Sequence, residues 1–358
     1  MTFDRSSVNN QGFYLALALF ILVYVPKLVL LIFVLGEDIY RLFEAIYNYF
    51  ISKPDNSSAF FSSRRKFIGQ FAIGLASIPF LSILYGITQG KYNFKVLRYS
   101  LFFEDLPEAF EGYQITQISD IHSGSFDNKN KISYAVDLIN QQDSDAIFFT
   151  GDLVNNVADE MDDWKELFSN LSAKEGVFSV LGNHDYGDYV RRNSKEEKLK
   201  NLDKLKKIQS EMGWNLLLNE NFYIKRKNQK IAIVGVENWG ENGFKQAGDL
   251  DAACKNINDS DFKVLLSHDP SHWKSRVKND DRNFQLTLSG HTHGMQFGIE
   301  IPGWIKWSPV KYRYENWAGI YKEKGRFINV NRGFGFLAYP GRFGIWPEIS
   351  VITLKKSA

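Results

Sequence analysis

The chain has 358 residues, enough for one large or two ordinary domains with a sizeable core. Its 43 basic and 41 acidic residues leave a formal charge of only +2, and no basic tract is interleaved with aromatics, which argues against nucleic acid as a partner. The single cysteine, Cys254, excludes an internal disulfide and any zinc site built from cysteines.

Residues 12–36 form a stretch of 25 with one charge, Lys27, directly after Pro26. That length crosses a bilayer once, whereas either half alone is too short, so it reads as a transmembrane span. A signal peptide would open with a basic region and offer a small-residue cleavage site; here Asp4 accompanies Arg5 and no clear site follows. Residues 38–50 mix apolar and charged positions, the pattern of a helix lying along a membrane surface or of a soluble linker helix. Residues 52–58 read as a loop. Arg64, Arg65 and Lys66 then open a second apolar stretch, 67–87, read as a second span, although twin arginines before such a run also mark an export address. The membrane region is thus assigned to 1–100. Its connecting segment carries Arg41, Lys53, Arg64, Arg65 and Lys66, against Arg5 before the first span and Lys91, Lys95 and Arg98 after the second. The positive-inside rule puts that connection in the cytoplasm and the following domain in the periplasm or at the cell exterior.

From about Gly112 the chain changes to short apolar runs broken by Gly, Asn and Asp, which reads as a soluble α/β domain, assigned to 101–358. Strands are predicted at 113–119, 146–150, 177–181, 231–236, 263–267, 286–289, 327–330 and 349–354. Helices are predicted at 132–140, 162–171, 196–212 and 246–257.

Five of these strands end in short loops rich in Asp, Asn and His. Asp120 and His122 stand two apart, so on an extended backbone they point the same way, and carboxylate and imidazole both suit a divalent ion. Asp152 follows Gly151; Asn183, His184 and Asp185 follow the next strand; His268 and then His291 and His293 follow two more. Strand-end loops are where α/β sheets gather ligands, so five such endings point to one shared site.

The ordered blocks Asp120-Ile121-His122, Gly151-Asp152, Gly182-Asn183-His184-Asp185, His268 and Gly290-His291-Thr292-His293 resemble those of the calcineurin-like metallophosphoesterases. Residues 326–354 are similar in character to the closing segment of that family's membrane-attached bacterial subgroup. The resemblance implies a four-layer α/β/β/α sandwich, with helices outside two facing mixed sheets and metal loops at one edge. It implies two divalent ions, one held by Asp120, His122, Asp152 and His293, the other by Asp152, Asn183, His268 and His291. Asp152 would bridge: a shared carboxylate offsets the repulsion of cations about 3.5 to 4 Å apart, and a hydroxide between them is nucleophilic near neutral pH. Asn183 would add a neutral oxygen. His184 takes the role of the family's non-ligand histidine, donating to a phosphate oxygen or protonating the leaving alkoxide, with Asp185 orienting it.

Arg332 and Arg342, in NRGFG and PGRFG, are candidates to hold a phosphate oxygen. Asn155 and Asn156 read as turn formers, and His272 has no role in the motif set. Trp304, Trp307 and Tyr312 either cover an apolar substrate or form an ordinary aromatic surface. Among metals, the donor set ranks Mn or Fe first and Zn next. The expected activity is metal-dependent hydrolysis of a phosphate ester, favouring a phosphodiester or pyrophosphate in a membrane lipid or envelope precursor. A soluble phosphodiester or monoester hydrolase and a noncatalytic membrane scaffold are the alternatives. The expected partners are the lipid bilayer and a small-molecule or lipid phosphate ester; the sequence identifies no protein partner.

Overall fold

A computed structural model of the chain describes residues 11–51, 62–192, 194–241, 243–301 and 303–357. Two long apolar helices come first. The first, α1 (Gln11–Ile51), has 41 residues and absorbs both the expected span and the segment 38–50 expected as a separate helix. Glu37, Asp38 and Arg41 interrupt the apolar run without any helix breaker, so the hydrogen-bond ladder simply continues. At 1.5 Å per residue α1 is about 60 Å long, twice a bilayer's hydrocarbon core. The second, α2 (Ser62–Thr88), contains the expected span 67–87. The loop expected at 52–58 lies outside the described residues.

Phe33 meets Phe71 edge to face at 5.8 Å, while Tyr14 and Leu15 lie beside Ile87. The two helices therefore run antiparallel, and α2 ends on the side where α1 begins. Leu15, Phe20, Leu28, Ile32, Phe67, Ile73 and Leu81 are exposed along them. Such a surface is satisfied by lipid rather than water, and both helices are long and apolar enough to cross a membrane.

The remainder folds around two six-stranded sheets. In the first, β1 (Lys95–Phe103) is an edge strand paired with β14 (Glu348–Lys356), which pairs in turn with β2 (Gln114–Ile118). The sheet continues in parallel through β3 (Ala146–Phe149), β4 (Val177–Ser179) and β5 (Trp214–Leu216). The second sheet runs β12 (Gly319–Glu323), β13 (Arg326–Val330), β9 (Leu286–Ser289), β8 (Phe262–Leu266), β7 (Gln229–Gly235) and β6 (Glu220–Arg226). A short pair, β10 (Ile299–Ile301) and β11 (Ile305–Trp307), stands apart from both.

Strand parity explains the layering. Ala146 and Phe148 of β3 meet Val264 and Leu266 of β8 in the core between the sheets. Their neighbours turn outward: Ile147 and Phe149 pack on Ile132, Val136 and Ile139 of α3 (Lys129–Asn140) and on Leu205 and Ile208 of α5 (Lys195–Glu211). On the other side Leu265 packs with Leu250 and Ala253 of α6 (Leu250–Ala253) and Trp273 of α7 (Ser271–Ser275). Strands buried on both faces need apolar side chains at both parities, which is why these segments read as continuous runs. The four-layer α/β/β/α arrangement is the one expected.

Several elements differ from expectation. The segments β1, β5, β6 and β10 to β12 are strands that the apolar pattern did not disclose; β6, at a sheet edge, has only Phe222, Tyr223 and Ile224 between charged and polar ends. β1 also runs across the boundary drawn at residue 100. Two predicted helices are much shorter. The segment 246–257 yields only α6, because Asp249 caps it by accepting from Asp251 and Ala252 and the chain turns left-handed at Asn256. From 162–171 only α4 (Lys165–Phe168) is α-helical, preceded by a 3-10 turn at Ala158–Met161.

The membrane region docks directly on the sandwich. The Arg342 amide donates to the Gly86 carbonyl at 3.2 Å, and the ring of Tyr85 meets Trp346 edge to face. A Cβ on Gly86 would stand 2.4 Å from the Arg342 carbonyl oxygen, a backbone atom that cannot swing aside. Gly86→Val is therefore expected to destabilise this joint by about 1 to 3 kcal/mol, as overpacking does. A lowered thermal unfolding midpoint of the full chain in nanodiscs checks this; an unchanged midpoint would show the joint to be loose.

Candidate metal centre

The loops leaving the parallel strands β2, β3, β4, β8 and β9 meet at one edge of the sandwich. They bring together the seven residues expected as metal ligands, in two groups. In the first, Nε2 of His293 lies 3.2 Å from Oδ1 of Asp120 and 3.0 Å from Nε2 of His122. In the second, Nε2 of His268 lies 3.1 Å from Oδ2 of Asp152 and 3.3 Å from Nδ1 of His291. Oδ1 of Asn183 completes that group at 2.8 Å from His291 Nδ1 and 3.2 Å from His268 Nε2.

Asp152 lies between the groups. Its Oδ1 accepts the His184 amide at 2.8 Å, which leaves Oδ2 facing His268 on one side and His122, at 3.7 Å, on the other. Neighbouring contacts orient the remaining donors. Nδ1 of His268 lies 2.7 Å from the Thr150 carbonyl and carries a proton there, so Nε2 is the ring nitrogen that faces the cluster. Nε2 of His291 meets the Tyr314 hydroxyl at 2.8 Å, and Asn183 donates its amide to the Tyr189 hydroxyl at 2.8 Å, which turns its carbonyl oxygen inward.

The backbone is bent to achieve this. Asp120, His122, Asp152, His291 and His293 all have positive φ, between 49° and 70°. Left-handed non-glycine residues are uncommon, and finding five among the seven candidate ligands shows that the loops are shaped for the site rather than for local comfort. Glycines beside them are there for space: a Cβ on Gly182 would lie 2.2 Å from Asp152 Oδ1, and one on Gly290 would lie 2.3 Å from Asp120 Oδ2.

Electrostatics favours a cation. Burial opposes ionisation of Asp120 and Asp152, yet the surrounding imidazoles hold both below the usual carboxylate range. Burial likewise disfavours a charged His268, but Asp152 and Asp120 push its proton affinity up to about 10. Burial keeps His122 low and brings His291 down to about 4, so both present neutral lone pairs. Ionised carboxylates, an amide oxygen and neutral imidazoles converging in two groups are the donor set of a dinuclear centre for borderline divalent metals, and the residues fit such a centre.

Other expected roles change. Asp185 does not touch the His184 ring. Its buried carboxylate accepts the amides of Asp152, Leu153, Val154 and Gly182 at 2.8 to 3.4 Å, tying the Asp152 loop to the Gly182 loop. Burial and the charge of Asp152 push its proton affinity up to about 7, against the pull of those amides. His184 is instead oriented by the Asn155 carbonyl, 2.6 Å from Nδ1. Glu160 in turn holds Asn155 by accepting its amide at 2.5 Å and that of Asn156 at 3.0 Å.

Neither proposed arginine faces the cavity with a free guanidinium. Arg332 is clamped between Glu300 and Glu348. Arg342 is fully buried, donates to the Gly333 and Gly335 carbonyls, and lies 3.4 Å from His293 Nδ1. His272 is buried with its ring stacked on Trp239 at 3.9 Å, a packing role. The cation that lines the metal cavity is Arg313, its guanidinium over the rings of Phe244 and Tyr314. The cavity holds about 430 Å³; Phe244, Met295, Tyr312 and Leu337 also wall it. The asparagine pair beside Asp152 was a visible signal for Asn155, whereas nothing in the order of residues marked Glu160, Tyr189, Arg313 or Tyr314.

Comparison with known proteins follows the same division of the chain. Residues 113–295, just over half of its length, match the family described as Calcineurin-like phosphoesterase. Residues 1–91 match one described as Probable Calcineurin-like phosphoesterase, transmembrane domain. The metallophosphoesterase YkuE of Bacillus subtilis is 29% identical over 259 residues, covering 70% of this chain and 82% of that protein. A metallophosphoesterase of Aquifex aeolicus is 28% identical over 267 residues, 74% of this chain and 93% of its own. One from Helicobacter pylori strain 26695 is 27% identical over 327 residues, 90% of this chain and 79% of its own. With the paired metal groups at the strand ends and two membrane-spanning helices before them, the chain belongs to the calcineurin-like phosphoesterases, as a membrane-attached, metal-dependent hydrolase.

Proposed function

We propose that the chain hydrolyses a phosphodiester or pyrophosphate bond in a membrane lipid or cell-envelope precursor. The observation that carries this reading is the docking of the sandwich on the ends of α1 and α2, which holds the metal cavity close to the bilayer. A tethered active site meets membrane-bound esters at a high effective concentration.

Asp120, His122, Asp152 and His293 would hold one cation, and Asp152, Asn183, His268 and His291 the other, with Asp152 common to both. Bound there, two divalent cations acidify water and spread the charge that builds on phosphoryl oxygens. Mn or Fe suits this donor set first and Zn next. With Nδ1 of His184 committed to the Asn155 carbonyl, Nε2 is the atom left to hold the proton that the leaving alkoxide receives. Arg313 supplies the phosphate-facing fork that Arg332 and Arg342 do not. The basic excess carried by the last part of α1, the segment after it and the start of α2, namely Arg41, Lys53, Arg64, Arg65 and Lys66, supports a cytoplasmic connection and an outward-facing catalytic domain.

Three measurements test these readings. Purified full-length protein assayed on bis(p-nitrophenyl) phosphate with Mn²⁺, Mg²⁺, Zn²⁺ and Fe²⁺ compared should lose turnover on chelation. Asp152→Ala, which strips a ligand from both ions, should cost more than Asn183→Ala and at least about 100-fold; turnover that survives chelation would identify a different mechanism or, if absent throughout, a scaffold. A cysteine replacing Lys322 should react with an impermeant maleimide in intact cells, and labelling only after lysis would reverse the orientation. In nanodiscs, kcat/KM should favour phosphate esters from an envelope lipid extract over soluble nucleotides and monoesters; turnover of the soluble esters alone would defeat the lipid reading while leaving the phosphoesterase chemistry intact.

A further inference from the structure

The β10–β11 hairpin has no partner strand in either main sheet. It presents Ile299, Ile301 and, at its turn, Trp304 to the outside, with Trp304 77% exposed; Tyr312, 78% exposed, follows shortly after. Clustered exposed apolar side chains of this size mark a contact surface.

Its place in the fold says with what. Ile299 and Glu300 share a cleft of about 500 Å³ with Leu81, Ser82 and Tyr85, residues in the last two turns of membrane-spanning α2. The hairpin is only three residue pairs long, about 10 Å, so its turn stays near the level of those turns. It is also held rigidly: Glu300 pairs with Arg332, which is itself clamped to Glu348 of β14, and Phe297 stacks on Phe343 at 5.0 Å. Lys311 lies over the Tyr312 ring, and Arg313 follows. Aromatic side chains beside basic ones at the end of a membrane helix match the boundary between acyl chains and anionic headgroups.

We propose that the β10–β11 hairpin, with Trp304 at its turn, inserts into the interfacial layer of the bilayer that holds α1 and α2. The occupant is lipid because the apolar surface of the hairpin continues across the shared cleft onto the lipid-facing side of α2. Met295 and Tyr312, which wall the metal cavity, then bring its mouth to the headgroup layer. This placement concerns membrane contact and stands whichever phosphate ester is cleaved.

The test uses the full chain with Cys254→Ala, carrying an environment-sensitive NBD label at Trp304→Cys, at Ile301→Cys, or at Lys322→Cys on exposed β12. Each is placed in phosphatidylethanolamine/phosphatidylglycerol nanodiscs with one chain per disc. Labels at 301 and 304 should show blue-shifted emission, loss of iodide quenching, and quenching by lipids spin-labelled near the headgroup; the label at 322 should show none of these. Equal iodide access at 304 and 322 would overturn the proposal. So would a blue shift that appears only with two chains per disc, which would assign the face to a second copy. Turnover of bis(p-nitrophenyl) phosphate, unchanged by either hairpin label, verifies the fold in the same samples.

Discussion

One carboxylate sets the demands on the rest of the molecule. Asp152 has its Oδ1 fixed by an amide from the β4 loop and its Oδ2 set between imidazoles from the β8 and β2 loops. Two sheets must therefore face each other in one register, with their parallel strands ending at the same edge. The price is local strain at the left-handed ligands, of order 1 to 3 kcal/mol each, and the apolar core between the sheets is what over-determines the loops and holds them there. Asp185 belongs to the same constraint: by gathering amides from both the Asp152 and Gly182 loops it fixes their separation, so its contribution is to the shape of the centre rather than to the orientation of His184.

The fold and the residues that gather at the sheet edge were legible in the sequence because each candidate ligand follows closely on a strand buried at both parities, where an apolar run stops at a glycine, serine or aspartate. β3 and β8 are such runs. Edge strands were not legible: β6 has three apolar residues, Phe222 to Ile224, between charged and polar ends, and β1 follows so closely on α2 that its apolar residues read as the end of the membrane region. Roles that depend on partners far along the chain were also hidden. Arg332 looked like a phosphate contact in its glycine-rich loop, but its carboxylates stand 16 and 32 residues away. His184 and Asp185 are neighbours in sequence, yet the 3-10 turn they share sends one ring to Asn155 and the other carboxylate to the amides of Asp152 and Leu153. The family resemblance carried the ion assignments, and the side-chain geometry agrees with their division into two groups.

The membrane helices are joined to the catalytic sandwich through the same segment that supports a ligand. Gly86 of α2 accepts from Arg342, whose guanidinium lies against His293 Nδ1 and braces the Gly333 and Gly335 carbonyls. A rigid path of backbone and one buried arginine thus runs from the bilayer to the first metal group. This arrangement differs from a domain on a free tether: packing sets the orientation of the cavity relative to α1 and α2, and the proposed interfacial hairpin and the proposed lipid substrate both draw on that one feature.

The proposed dinuclear centre requires Asp152 to serve two ions at once, and electron paramagnetic resonance of the Mn²⁺-loaded full chain tests that most directly. Two ions sharing a carboxylate should give an exchange-coupled spectrum at two equivalents of metal, and Asp152→Asn should replace it with the hyperfine pattern of isolated Mn²⁺. An isolated-ion spectrum from the unaltered protein, saturating at one equivalent, would contradict the shared-carboxylate centre.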